Sequence, residues 1–221
     1  MSSTLVWFGG AWDGADDTPR VRRQRILAEH EAHSSSTEES HRLDALRAGD
    51  ERVFHAIYAE YSTTLWEFTA YLTGDPELAR DIVQDVFVSL WTRRTTLDIH
   101  ETMRVYLFRA VRNHVSKQRR HAAVVRKTTP DATEVISGAM TSSTAADPVN
   151  ALDMASLEQA VDAIIHDMPA ARRTAALLRL RHGLSDTEAA SIMGVSVEAV
   201  RMHVSRARAA LRPLVEQFRE Q

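Results

Sequence analysis

With 221 residues, the chain has room for one or two domains with real hydrophobic cores and too little for a large multidomain enzyme. Its 27 Lys and Arg against 30 Asp and Glu give a net charge of −3 and a pI near 6.4, which excludes a uniformly basic nucleic-acid coat. Eight Gly and six Pro, together about half the share usual in soluble proteins, disfavour turn-rich sandwiches, barrels and glycine-fingered nucleotide folds. They predict a mostly helical chain, and with its length the expectation is an all-α chain of two small helical domains joined by a flexible linker.

Residues 1–36, with Gly9, Gly10, Gly14, Pro19 and the Ser34–Ser36 run, show no sustained apolar period and read as a flexible N-terminal extension. Arg20, Arg22, Arg23 and Arg25 within it read as a solvated tail and take no function. A first domain is expected over 37–121. Leu43 and Leu46 precede a stop at Gly49, and Phe54, Ile57, Tyr58, Tyr61, Leu65, Phe68 and Leu72 then recur at steps of three and four, as on one face of a long helix. Gly74 ends that helix. Asp75 with Pro76 supplies a cap and a first-turn proline for the next, whose core stripe is Ala79, Ile82, Val83, Val86, Phe87, Leu90 and Trp91. A polar loop, Thr92–His100, leads to a helix over Glu101–Arg120 that packs Val105, Tyr106, Phe108, Val111 and Val115. Residues 122–150 carry Thr128, Thr129, Pro130, Ser137, Gly138 and Pro148, a linker composition.

A second domain is expected over 151–215, followed by a short tail, 216–221. Leu152, Leu157, Val161, Ile164 and Ile165 mark a helix that stops before Pro169, and Leu177, Leu178 and Leu180 mark one that ends at Gly183. Ser185 and Glu188 form a capping box for a short helix closed by Gly194, and Ser196 caps a longer helix from about Val197 to Leu211.

Three local patterns carry chemistry. The stretch from Leu184 to Leu211 has the plan of a helix-turn-helix, with Ala189, Ile192, Val195, Val200 and Val204 as core positions. Arg201, Met202, Ser205 and Arg206 fall on the opposite side, and Ser196 with the free amides of the helix start suits a phosphate. Residues 101–127 hold eight basic side chains against Glu101 alone, a local charge of plus 7, interleaved with Tyr106, Phe108, Asn113 and His114. Preceded by Arg93, Arg94, Thr95 and Thr96, that mixture suits unstacked bases and a single-strand backbone. Asp81, Gln84, Asp85 and Val88 make a stripe opposite the core face of their helix, for which periodicity alone offers plain solvation.

In this order the three patterns resemble a bacterial RNA polymerase sigma factor of the extracytoplasmic-function (ECF) type, the two-domain branch of the sigma-70 family. The resemblance lies in Asp81, Gln84, Asp85 and Phe87 followed by Trp91, in Tyr106-Leu107, Arg109, Val111, Arg112, Asn113 and Arg120, and in Gly183-Leu184-Ser185, Glu188-Ala189-Ala190, Met193-Gly194-Val195-Ser196, Val200-Arg201 and Arg206-Ala207-Arg208. It implies a non-enzymatic initiation factor, without cofactor, that binds core RNA polymerase, directs it to promoters and helps melt DNA. Asp81, Gln84, Asp85 and Val88 would meet the polymerase clamp helices, and the second domain the flap. Arg93, Arg94, Thr95, Thr96, Tyr106, Arg109, Arg112, Asn113, Lys117 and Arg120 would hold the melted non-template strand of the minus-ten element. Ser196, Arg201, Met202, His203, Ser205, Arg206 and Arg208 would read the minus-thirty-five element as duplex. Tyr106 stands where the family often has Trp, Lys117 where it often has an acid, and His203 where Arg is common. An anti-sigma factor is a further partner the resemblance admits.

The alternative is a stand-alone helix-turn-helix regulator of the response-regulator type, since Leu184–Leu211 alone would satisfy it. Such a protein needs neither a basic melting helix nor the Asp81–Phe87 block. Enzyme readings fare worse. His30, Glu31 and His33 miss the metalloprotease spacing by one residue, no glycine loop or nucleophile elbow is present, and the absence of Cys removes thiolate sites and disulfides. No metal site is expected. With no apolar run near the ~18 residues of a membrane span and no basic-then-apolar leader, the expected location is cytoplasmic, without membrane insertion.

Overall fold

The structure, a computed structural model, describes residues 38–97, 99, 101–128 and 148–219. The expected extension over 1–36 lies outside them, as do residues 129–147 of the expected linker. All regular structure among the described residues is helical.

Helix α1, residues 38–48, ends at Gly49, whose φ of 87° is the left-handed turn that glycine adopts without strain. Helix α2, Glu51–Thr73, starts on Asp50, which accepts from the Arg52 amide, and ends at Gly74 with its N–H on the Ala70 carbonyl. Helix α3, Pro76–Arg93, is capped by Asp75, which accepts from the Glu77 and Leu78 amides at 3.0 and 3.1 Å. Helix α4 runs over Met103–Thr128. These four helices enclose Leu46, Ile57, Leu65, Phe68, Ile82, Leu90 and Phe108, all essentially inaccessible. Each such side chain contributes about 1.5–3 kcal/mol by leaving water.

Helix α5, Pro148–Asp167, and helix α6, Ala170–Ala176, pack on a helix-turn-helix made of α7, Asp186–Met193, and α8, Val197–Arg219. Between α6 and α7 the chain widens into a π-turn, Leu177–Arg181, where the His182 amide reaches back five residues to the Leu177 carbonyl at 2.9 Å. Ile165, Leu177, Leu178, Leu184, Ala189, Ile192, Val200 and Ala207 form the core of this second group. The two groups are not separate: α4 packs on α7, and their buried residues join in one cluster.

Several expected features differ. Helix α4 runs to Thr128 instead of Arg120, because His121–Lys127 carries no helix breaker. Helix α8 continues through Pro213 to Arg219 and not to Leu211, the proline removing one internal bond without ending it. Tyr58, expected in the core stripe, is 47% exposed, and Val195 is 41% exposed because it follows the left-handed Gly194 at the outer edge of the turn. Met193 takes the core position instead. Met103 and Leu107 on α4 and Ile99 in the preceding loop are buried, although the spacing had not marked them for packing.

Candidate nucleic-acid interface

The helix-turn-helix is built by its caps. Ser185 Oγ accepts from the Glu188 amide at 3.2 Å while Glu188 Oε2 accepts from the Ser185 amide at 2.7 Å, a complete capping box that starts α7. Gly194, at φ 66°, closes it with its N–H on the Ala190 carbonyl at 2.8 Å. Ser196 Oγ accepts from the Ala199 amide at 3.2 Å and so caps α8; its hydroxyl hydrogen stays available to an acceptor. Val200 and Val204 anchor α8 inward, which leaves Arg201, Met202, Ser205 and Arg206 exposed on one side, with His203 and Arg208 half-buried beside them.

Asp186 sets the position of the first of these side chains. It accepts from Arg179 Nε at 2.5 Å and from Arg201 Nε at 3.1 Å. Partial burial pushes its carboxyl up, but the Arg201 and Arg179 guanidiniums outweigh that and hold it below the usual carboxylate range. Arg201 is 65% exposed, so water competes strongly for this pair.

Helix α4 presents its basic residues in two sets. Asn113, Lys117 and Arg120 are exposed, and Tyr106 is half-buried, its hydroxyl raised by burial against the opposing charge of Arg93. Thus Arg93 and Tyr106, expected together on the minus-ten surface, are neighbours. Thr95 and Thr96 are exposed in the turn after α3, whereas Arg94 folds back, its guanidinium 4.2 Å from the Trp91 ring centre and donating to the Trp91 carbonyl at 2.8 Å. Arg109 and Arg112 point at the second helical group: Arg109 donates to Ser191 Oγ at 2.5 Å and pairs with Glu101, and Arg112 donates to the Ile192 carbonyl at 3.2 Å.

On α3, Asp81, Gln84 and Asp85 are exposed and Val88 is 57% exposed, so all four share one open face. Spacing missed what lies beside them. A groove of ≈ 610 Å³ between α2 and α3 is lined by Phe54, Tyr58, Phe87, Val88 and Trp91, with Gln84 on its edge. Its aromatic wall is packed, Tyr58–Phe87 at 4.8 Å and Phe54–Trp91 at 5.0 Å between ring centres. The exposure of Tyr58 and Val88 thus belongs to one apolar patch, with Glu51 and His55 also on its lining. Among the described residues no cluster of His, Cys, Asp or Glu has the arrangement of a metal site.

Comparison with known proteins agrees with this geometry. Residues 57–124 match the description Sigma-70 region 2, and residues 158–211 match Sigma-70, region 4. The ECF RNA polymerase sigma factor SigL of Mycobacterium tuberculosis is 30% identical over 82 residues, 37% of this chain and 46% of SigL. The chain therefore spans about half the length of SigL. The RNA polymerase sigma factor NccH of Alcaligenes xylosoxydans xylosoxydans is 30% identical over 172 residues, 76% of this chain and 89% of NccH. In fold, the chain resembles CnrH, solved in complex with the cytosolic domain of CnrY, at a TM-score of 0.55 and 23% identity, over 81% of this chain and 97% of CnrH. An all-helical fold carrying both regions in this order defines the sigma-70 family, to which the chain belongs. Within that family it falls in the extracytoplasmic-function branch.

Proposed function

We propose that the chain is a promoter-specificity subunit of bacterial RNA polymerase. The observation that carries this reading is the pairing, on one chain, of a capped helix-turn-helix having four exposed readers on α8 with an acid-edged aromatic groove on α2 and α3. The groove and the Asp81–Asp85 stripe suit a basic, partly apolar helical partner, as the polymerase clamp would supply. Arg93, Thr95, Thr96 and Tyr106, with Arg109, Arg112, Asn113, Lys117 and Arg120, then stabilise the separated minus-ten strand by stacking and charge. Arg94 joins them only once released from Trp91. On the duplex, Ser196, Arg201, Met202, His203, Ser205, Arg206 and Arg208 place α8 at the minus-thirty-five element. The chain itself catalyses nothing in this reading, and RNA synthesis belongs to the polymerase.

The site of action is the cytoplasm; among the described residues no helix is long and apolar enough to cross a membrane. An anti-sigma protein is a second partner in this reading, by likeness to the sigma factor RpoE of Bartonella quintana, solved in complex with the anti-sigma factor NepR. The stand-alone regulator reading is not kept, since the region 2 match over 57–124 has no place in it. The test is co-purification with core RNA polymerase, followed by a mobility-shift assay on promoter DNA. A shift requiring both components supports the proposal; specific binding to duplex by the chain alone, with no affinity for core, contradicts it.

A further inference from the structure

Leu5, Val6, Trp7 and Phe8, followed by Trp12, place two of the chain's four tryptophans ahead of the first helix, and Arg20, Arg22, Arg23 and Arg25 come after them. A merely solvated tail has no use for so much aromatic surface. Large apolar side chains leave water wherever a surface receives them, and each Trp or Phe covers about 150–250 Å² in doing so.

The groove between α2 and α3 is such a surface. At ≈ 610 Å³ it has room for a few large side chains, and Phe54, Tyr58, Phe87, Val88 and Trp91 line it. Tyr58 and Val88 are two of the four large apolar side chains left exposed among the described residues, so the patch is concentrated here. Charge complements it. Asp81 precedes Gln84 by three positions and Asp85 precedes Val88 by three, which makes both carboxylates helix-surface neighbours of the groove lining. Arg80, next to them on α3, pairs with Glu77 at 2.6 Å and leaves Asp81 and Asp85 without an ion partner among the described residues.

The start of α1 brings the first residues within reach. Arg42 pairs with Glu60 at 2.7 Å, so α1 begins beside α2 just beyond Tyr58. From there the far end of the groove, at Phe54 and Trp91, lies about 9 Å along α2 and one helix width of about 10 Å across. Residues 13–37 join Trp12 to α1, and a polar linker of that length spans about 25–30 Å. A tether matched to its span holds the segment at an effective concentration of order mM, ahead of a second copy in solution.

We propose that residues 5–12 fold back into the α2–α3 groove of the same chain, with Trp7, Phe8 and Trp12 covering its aromatic wall and Arg20, Arg22, Arg23 and Arg25 answering Asp81 and Asp85. The order along the chain fits, since the arginines leave α1 first and Asp81 and Asp85 lie at the Tyr58 end of the groove, whereas the aromatic run comes last and reaches Trp91. The segment then covers the surface assigned to the polymerase, and the two compete for it; that consequence, unlike the docking, rests on the proposed function.

The chain has no Cys, so Ser3→Cys takes a single nitroxide in the full-length protein. The label broadens the nuclear resonance signals of groups beside it, here the Val88 methyls and the Trp91 indole. Both should broaden at every chain concentration and sharpen again when Trp7→Ser, Phe8→Ser and Trp12→Ser are added, none of which alters a core residue named above. Arg20→Ser, Arg22→Ser, Arg23→Ser and Arg25→Ser together should weaken the broadening, as should salt in the parent chain. Sharp signals in the parent, or broadening indifferent to the three aromatic substitutions, overturn the docking. Nitroxide-labelled chain mixed with unlabelled, isotope-enriched chain separates the sources: broadening as strong as within one chain puts a second copy's segment in the groove and overturns the fold-back. A groove covered nine-tenths of the time also predicts that the three aromatic substitutions tighten binding to core polymerase about tenfold. Unchanged binding, with the docking signals intact, overturns the competition and the assignment of the groove to the polymerase while the docking stands.

Discussion

At His182 a single ring reports whether the two helical groups touch. Held between Phe68 and Phe108, with Arg104 on α4 and Arg181 in its own turn nearby, it is pushed down to a pKa of about 3, by burial first and by the two guanidiniums second. Arg181 is itself answered by Glu67 and Tyr71 on α2. In the parted state the ring returns to about 6.5. Above that pH it is neutral in both states and contributes nothing. Below it the parted state takes a proton that the packed state refuses, so packing weakens about tenfold per unit as pH falls from about 6.5. Asp162, raised chiefly by burial, works in the opposite sense as pH falls. The packing of the two groups, read as a distance between labels on α2 and α8, should therefore weaken as pH falls from about 6.5 to about 5.5, and His182→Ala should flatten the curve. An unchanged distance for the parent chain over that range would remove the ring from the account. On α8, Arg201 shares Asp186 with Arg179 and lies open to solvent. Arg201→Ala should cost about 1–3 kcal/mol at one promoter position and little at others. Competition across a minus-thirty-five library reads this; an equal loss at every sequence would make Arg201 a phosphate contact.

Among the elements, α3 has its two faces most sharply divided. Ile82, Val86 and Leu90 hold it in the core, while Asp81 and Asp85 stand open beside the Tyr58–Phe87 groove. Asp81→Lys with Asp85→Lys should weaken retention on immobilised core polymerase without altering the circular dichroism, because neither carboxylate supports the fold; undiminished retention would remove the stripe from the interface. Caps and amphipathic spacing made α2, α3, α7 and the turn at Gly194 readable from the chain alone, since Asp75, Ser185 and Gly194 act within their own few residues. Other features depend on distant packing. The π-turn at Leu177–Arg181 breaks no local rule, and the exposure of Tyr58 follows from its place over α3. Helices α4 and α8 run past the ends expected of them, since neither the fading apolar period after Arg120 nor Pro213 stops a helix already under way.

Over the whole molecule, the net charge of −3 averages a basic stretch of plus 7 over residues 101–127 and a remainder of minus 10. That division suits a chain that meets DNA on one face and a basic protein on another, and under the proposed function it would limit binding to DNA without that protein. The segregation was legible by counting, whereas the seam between the two helical groups was not: it joins residues far apart in sequence, such as Arg109 with Ser191 and Tyr71 with Asp162. In the holoenzyme, Arg109→Ala with Arg112→Ala should reduce permanganate reactivity of minus-ten thymines more than it reduces closed-complex binding. Equal losses would remove α4 from melting. The central claim, that this chain lends promoter choice to a polymerase, is tested most directly by transcription from a randomised promoter library with purified core enzyme. Transcripts should appear only with the chain added, and their templates should share two spaced sequence blocks upstream of the start. Transcripts without shared blocks, or none beyond those of core enzyme alone, would contradict it.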